Sequence, residues 1–163
     1  MVHYIDQKYS RGGLRGRTCV ELGAGTGICG VACSAAGAAR VVLTDLPEAL
    51  PLLRRNAEAS QWAASLRVVP LAWGAAQARE LASELYLGPG DLVVACDCVY
   101  QPRSYAALAA ALAALARGGA ICLLAWRSRG RREADFVAEL RGLGFVVSPL
   151  PRTLESGVEM VSA

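Results

Sequence analysis

Short apolar runs alternate along this chain with longer segments whose apolar residues recur at helical spacing. Arg17-Thr-Cys-Val-Glu-Leu22 is one such run; it stops at a glycine cluster, and Gly27 to Ala36 then carries small and apolar residues suited to a helix lying close to a sheet. Arg40-Val-Val-Leu-Thr44 predicts a second strand, closing on Asp45. Beyond it Pro47 suits a first helical turn, and Leu50, Leu53 and Ala57 fall on one helical face. Leu66 to Leu71 predicts a third strand and Ala75 to Tyr86 a helix. Asp91 to Cys96 predicts a fourth strand, almost wholly apolar as a strand buried on both faces should be. Ser104 to Arg117 carries Leu108, Leu112 and Leu115 on one stripe and stops at Gly118-Gly119, the residue type at which helices end. Ala120 to Trp126 predicts a fifth strand, Glu133 to Leu143 a helix ended by Gly142 and Gly144, and Phe145 to Leu150 with Val158 to Ser162 a closing antiparallel pair. Strands alternating with helices predict an α/β fold, a mostly parallel sheet covered by helices on both faces through right-handed crossovers. At 163 residues, with no linker and no repeat, the pattern predicts one domain.

Composition narrows the class. A hydrophobic fraction of 54% with 19% charged residues excludes a disordered chain. The apolar run from Ala106 to Ala116 falls short of the roughly 20 residues of a membrane span, so no membrane partner is expected. Met1-Val-His-Tyr-Ile-Asp is interrupted by charge too soon for a secretion signal, and the expected location is cytosolic or nuclear. Cys19, Cys29, Cys33, Cys96, Cys98 and Cys122 sit in apolar runs rather than loops, which predicts reduced core thiols. Neither Cys29/Cys33 nor Cys96/Cys98 has zinc-knuckle spacing and His3 is the lone histidine, so no metal site is expected. The net charge of +3 is too mild to argue for a nucleic-acid partner.

The chemistry-bearing residues stand at three strand ends: Glu21-Leu-Gly-Ala-Gly-Thr-Gly27, Asp45, and Asp97-Cys-Val-Tyr100. In an open α/β sheet ligands sit outside the carboxyl ends of the strands, so these residues are expected to share one cleft. Gly23, Gly25 and Gly27 allow a sharp turn and let a ligand approach bare backbone, next to the amide donors of a helix start. Asp45, roughly 20 residues on, is where an acidic side chain takes the hydroxyls of an adenosine ribose. The pattern implies an adenosine-containing cofactor. Gly25-Thr-Gly-Ile-Cys-Gly30 also satisfies the dinucleotide fingerprint, which keeps an NAD-dependent oxidoreductase as an alternative. Glu21 speaks against it: a carboxylate there suits a ligand bearing an ammonium and repels a pyrophosphate. A carboxylate that only caps the neighbouring loop is the other reading of Glu21. Asp97 is either aimed into the cleft or a turn former, and Tyr100 either a site phenol or a structural tyrosine.

Together Glu21-Leu-Gly-Ala-Gly-Thr-Gly27, Leu-Thr-Asp45-Leu46, Leu-Ala-Trp73-Gly and Asp97-Cys-Val-Tyr100 resemble the family 16 seven-β-strand protein-lysine methyltransferases, the methyltransferase-like 21 group, from about Tyr9 onward. The resemblance implies a Rossmann-like class I methyltransferase fold and S-adenosyl-L-methionine as cofactor. Glu21, Gly23, Ala24, Gly25, Thr26, Gly27, Asp45 and Leu46 would then surround the donor's methionine and ribose portions, with Trp73 and Cys96 at its adenine. It implies Asp97 and Tyr100 on the acceptor side, a lysine of a protein substrate as acceptor, and a monomer. Arginine, a small molecule, or no acceptor in a methyltransferase-shaped scaffold are the alternatives. Asp97-Cys-Val-Tyr100 lacks the prolines of the motif common in base-methylating enzymes, which disfavours nucleic acid. The chain departs from the family at Ala72, where an acidic residue is usual, and at Cys96, where a smaller one is. Family members carry an upstream tryptophan-bearing segment, and this sequence starts within the helix after it, so part of the donor lid is expected to be missing. Arg127, Arg129, Arg131 and Arg132, after the fifth strand, are read as an acidic-surface receiver or a solvated basic loop.

Overall fold

Residues Thr18–Leu22 form strand β1 and are all buried, the polar Thr18 and Glu21 among them. The computed structural model describes residues 1–10, 12–130, 132–150 and 158–162, the last stretch as backbone. They fall into two compact units, Met1–Ala72 and Trp73–Ala163.

The first unit begins with helix α1 (Val2–Tyr9), then β1, α2 (Ile28–Ala35), β2 (Arg40–Asp45), α3 (Leu50–Ala59), a short 3-10 turn and β3 (Leu66–Pro70). β1 pairs in parallel with β2 and β2 with β3, so Glu21 lies beside Leu43 and Asp45 beside Pro70. Helix α2 ends in a Schellman motif: Gly37 has φ +96, its amide donates to the Ser34 carbonyl, and the Ala38 amide donates to the Cys33 carbonyl. The helical face expected of α3 is the buried one, Leu50, Leu53 and Ala57. Pro47, expected in its first turn, instead lies in the turn before it, and Pro51 takes the early helical position where a missing amide costs nothing.

The second unit carries α4 (Ala75–Leu85), β4 (Leu92–Cys96), a 3-10 turn over Pro102–Ser104, α5 (Tyr105–Ala116), β5 (Ile121–Arg127), α6 (Glu133–Gly142), β6 (Ser148–Pro149) and β7 (Val158–Ser162). β4 and β5 are parallel; β7 runs antiparallel to β5, and β6 to β7. Leu108, Leu112 and Leu115 of α5 are fully buried, about 1.5–3 kcal/mol each relative to exposure. Gly118 permits the tight approach behind that helix, for a Cβ there would come 1.9 Å from the Leu87 carbonyl oxygen.

Two helix ends differ from the sequence pattern. The strand expected from Phe145 to Leu150 shrinks to Ser148–Pro149 because its first residues close α6. Gly144 has φ +91 and its amide donates to Arg141 while the Phe145 amide donates to Leu140, a second Schellman motif. Helix α4 ends the same way without a glycine: Tyr86 takes φ +54, and the Leu87 amide donates back to the Ala82 carbonyl.

Candidate functional site

In the first unit the chain leaves β1 through Gly23, Ala24, Gly25 and Thr26. The Ala24 amide donates to the Thr44 carbonyl at 2.9 Å, and the Gly27 amide to the Ala24 carbonyl at 2.8 Å, which closes the turn into α2. Gly27 has φ +84, and a Cβ there would lie 2.9 Å from Leu53, so the turn needs glycine on both conformational and steric grounds. Gly25, at φ +55, has open space where a Cβ would stand and is exposed, as is Thr26. Asp45 closes β2 half-buried. Its Oδ2 accepts from the Gly25 amide and its Oδ1 from the Leu46 amide, both at 2.7 Å. Two of a carboxylate's roughly four lone-pair positions are thereby taken and the rest stay available to hydroxyl donors. Leu46, 51% exposed, sets an apolar surface beside it. Bare backbone, a pre-oriented carboxylate and apolar surface fit the adenosine-bearing donor that the sequence implies.

Glu21, the carboxylate expected to suit the donor's ammonium, is held by the helix that follows the loop. It is 2% exposed, and its Oε2 accepts from the Gly30 amide at 2.7 Å in the first turn of α2. This is the capping arrangement that was the second reading of Glu21. It has a chemical consequence: a negative charge beneath a helix start occupies an amide and offsets the positive end of the helix dipole, the features by which such a turn binds a pyrophosphate. Gly30, which made the dinucleotide fingerprint match, is accounted for by packing. A Cβ there would lie 2.1 Å from Leu43 and 3.0 Å from Glu21 Oε2.

In the second unit β4 ends at the half-buried Cys96. Asp97 then turns the chain in the left-handed region (φ +58), with its amide donating to the Ala125 carbonyl at 2.7 Å. A non-glycine residue held there at a strand end stores strain of a kind that gathers at functional sites. Cys98 and Val99 are buried, whereas Tyr100 is 40% exposed. Both Asp97 oxygens meet the Arg129 guanidinium, Nη1 to Oδ1 at 2.8 Å and Nη2 to Oδ2 at 2.9 Å. That fork holds the Asp97 carboxyl below the usual carboxylate range, against a smaller opposing effect of burial. Trp73, half-buried, stands just ahead of α4.

The structure thus gathers Glu21, the glycine loop, Asp45 and Leu46 by hydrogen bonds in one unit, and carries Trp73, Cys96, Asp97 and Tyr100 in the other. Sequence reasoning missed three residues. Thr44 donates its hydroxyl to the Glu21 carbonyl at 2.8 Å, and Asn56 its amide to the Thr26 carbonyl at 3.1 Å. Arg129 was noticed only as one arginine of a basic loop, of which Arg131 lies outside the described residues; nothing in its local pattern points to Asp97. All six cysteines are reduced thiols.

Comparison with known proteins places these features in a family. The profile described as lysine methyltransferase matches residues 1–142. Protein N-lysine methyltransferase METTL21A of Mus musculus is 34% identical over 155 residues, covering 92% of this chain and 67% of the relative. The protein of the same name from Danio rerio is 35% identical over 132 residues, covering 78% and 57%. The chain therefore spans about three fifths of the length of these relatives. Among solved structures, magnesium protoporphyrin IX methyltransferase from Synechocystis PCC 6803 with bound SAM shares the fold at a TM-score of 0.64, with 18% identity over 99% of this chain and 78% of that one. With the glycine loop, Asp45 and Asp97 to Tyr100 standing as described, this Rossmann-like chain belongs to the lysine methyltransferase family.

Proposed function

We propose that this chain transfers methyl groups from S-adenosylmethionine to lysine side chains of a protein substrate. The observation that carries the reading is the Asp45 carboxylate, fixed by the Gly25 and Leu46 amides beside open backbone, together with the α2 amide already taken by Glu21. The first pair suits an adenosine ribose; the second disfavours a pyrophosphate and so disfavours NAD.

When bound, S-adenosylmethionine supplies a methyl group on a cationic sulfur, open to in-line displacement. The chain's share is positional. Gly23, Ala24, Gly25, Thr26 and Gly27 would hold the donor's methionine portion on bare backbone and Asp45 and Leu46 its ribose, while Trp73 and Cys96 are the residues that the family resemblance assigns to its adenine. Asp97 and Tyr100 hold the acceptor amine by hydrogen bond and ring contact. An Asp97 carboxyl held low by Arg129 is a poor proton acceptor near neutral pH, so Asp97 orients the amine while the proton leaves to water. The seven-strand architecture belongs to this reading, supported by three strands in the first unit and four in the second. A cytosolic or nuclear site of action does too, since six reduced thiols suit a reducing compartment.

Labelled donor should bind the purified chain and be displaced by S-adenosylhomocysteine but not by NAD; displacement by NAD would refute the reading. Asp45→Asn should weaken that binding about 10- to 100-fold, the worth of a charge-assisted hydrogen bond. Asp97→Ala should leave it intact and abolish most transfer to proteins of a cell extract.

A further inference from the structure

Asp97 does not meet an acceptor as a bare carboxylate. Arg129 reaches it across 32 residues of sequence with two near-parallel hydrogen bonds, the geometry in which a guanidinium matches a carboxylate. The Arg129 anchor is itself built. Its backbone amide donates to Glu133 Oε1 at 2.6 Å, its Nη1 also donates to the Arg127 carbonyl at 3.2 Å, and Glu133 is buried at the start of α6. Arg127 is close enough to favour the charged form of the Asp97 carboxylate as well, a smaller effect than that of Arg129. Among the described residues the charged groups around the pair are Arg127 at the end of β5, Arg129 in the loop after it and Glu133 on α6.

We propose that Arg129 is a positioning residue for the acceptor: it fixes the Asp97 carboxylate and neutralises it, so that the substrate amine can lose its proton before attack. The proposal rests on the lysine methyltransferase reading above. In the transfer step the amine lone pair forms the N–C bond, the C–S electron pair passes to sulfur, and the methylated ammonium then releases its proton to water. Only an uncharged amine has that lone pair. A free lysine, with a pKa of about 10.4, is uncharged in roughly one molecule per thousand near pH 7.5. An uncompensated carboxylate beside it favours the ammonium, and raising the amine's pKa from 10.4 to about 11.4 would lower that fraction about another tenfold. A guanidinium clamped on the carboxylate removes that penalty while leaving its outer face, more than half exposed, to accept a hydrogen bond. Lysine at position 129 would keep the charge but not the fork.

The test compares the wild-type chain with Arg129→Gln and Arg129→Lys. Calorimetry with S-adenosylhomocysteine should give equal affinities for all three. Carboxyl-carbon NMR titration should place Asp97 below the ordinary range in the wild type and near 3.9 in Arg129→Gln. n-Butylammonium, a lysine side-chain probe, should perturb the Asp97 signal strongly in Arg129→Gln alone. With labelled donor and cell-extract proteins, the rise of rate should move upward by about one on the pH scale in Arg129→Gln, a tenfold loss at pH 7.5. Arg129→Lys should restore most of it. An Asp97 titration that Arg129→Gln leaves in place, or a superimposable pH profile despite normal homocysteine-analogue binding, overturns the assignment of Arg129 alone. A wild type that binds no S-adenosylhomocysteine overturns the methyltransferase reading itself. If the donor binds but no extract protein is methylated, the titration and the n-butylammonium arm decide the matter.

Discussion

Replacing Gly30 with alanine tests whether this glycine exists for packing. A Cβ at position 30 would lie 2.1 Å from Leu43 Cδ2 and 3.0 Å from both Glu21 Oε2 and Val41 Cγ1. Carbon atoms prefer separations of about 3.5–4.0 Å, so Leu43 would have to withdraw by about 1.5 Å. It has little room, since Leu43 and Val41 are fully buried on β2. Two effects oppose each other. Alanine gains about 1 kcal/mol of helix propensity over glycine, whereas overpacking costs about 1–3 kcal/mol. With three buried neighbours displaced at once, the steric cost sits at its upper end and the net loss is about 2 kcal/mol. In a chain of this length that lowers Tm by about 4–8 °C. Differential scanning calorimetry and urea unfolding read the effect. Leu43→Ala alone should cost about 2–5 kcal/mol, but if the clash is the cause the double variant should be at least about 1 kcal/mol more stable than the sum of the two losses. A Gly30→Ala chain as stable as wild type, or strictly additive losses, would refute the packing account of Gly30.

Burial pushes the Cys122 thiol up to about 12 from its ordinary 9.0, and Cys33 is likewise raised well above the ordinary value, first by its hydrogen bond with Cys19. Above pH 9 the unfolded chain releases the Cys122 proton that the folded chain keeps. The stability contribution is therefore complete below about pH 9 and lost as pH climbs toward 12, on the order of 1 kcal/mol per pH unit. Urea unfolding of Cys122→Ala at pH 8, 9 and 10 should show a shallower decline than wild type; parallel declines would exclude this thiol. Tyr86, 88% exposed at φ +54, occupies a position that favours glycine, so Tyr86→Gly should raise stability by about 1 kcal/mol in thermal melts. An unchanged or lower Tm would mean the tyrosine carries a contact that offsets its backbone strain.

The order and type of the strands and helices were legible in the sequence, because apolar period and glycine stops are local quantities. Leu50, Leu53 and Ala57 announce a helical face, and the unbroken apolar run before Cys96 announces a strand covered on both sides, whatever surrounds them. The glycine loop and Asp45 were legible for the same reason: a left-handed turn needs glycine, and a carboxylate at a strand end is conspicuous. Tertiary structure alone decided how those groups face one another. Glu21 turns beneath α2 to the Gly30 amide because Gly30 leaves room for it, a fact held by Leu43 and Val41 on another strand. Tyr86 stands in for a helix-ending glycine, and Phe145 closes α6 instead of opening a strand, because backbone hydrogen bonds across five residues outweigh side-chain preference there. Arg129 on Asp97 is the clearest case. A charge run in sequence reads as solvated surface, and only the folded path of the loop after β5 brings one of its guanidinium groups within 2.8 Å of a carboxylate 32 residues away.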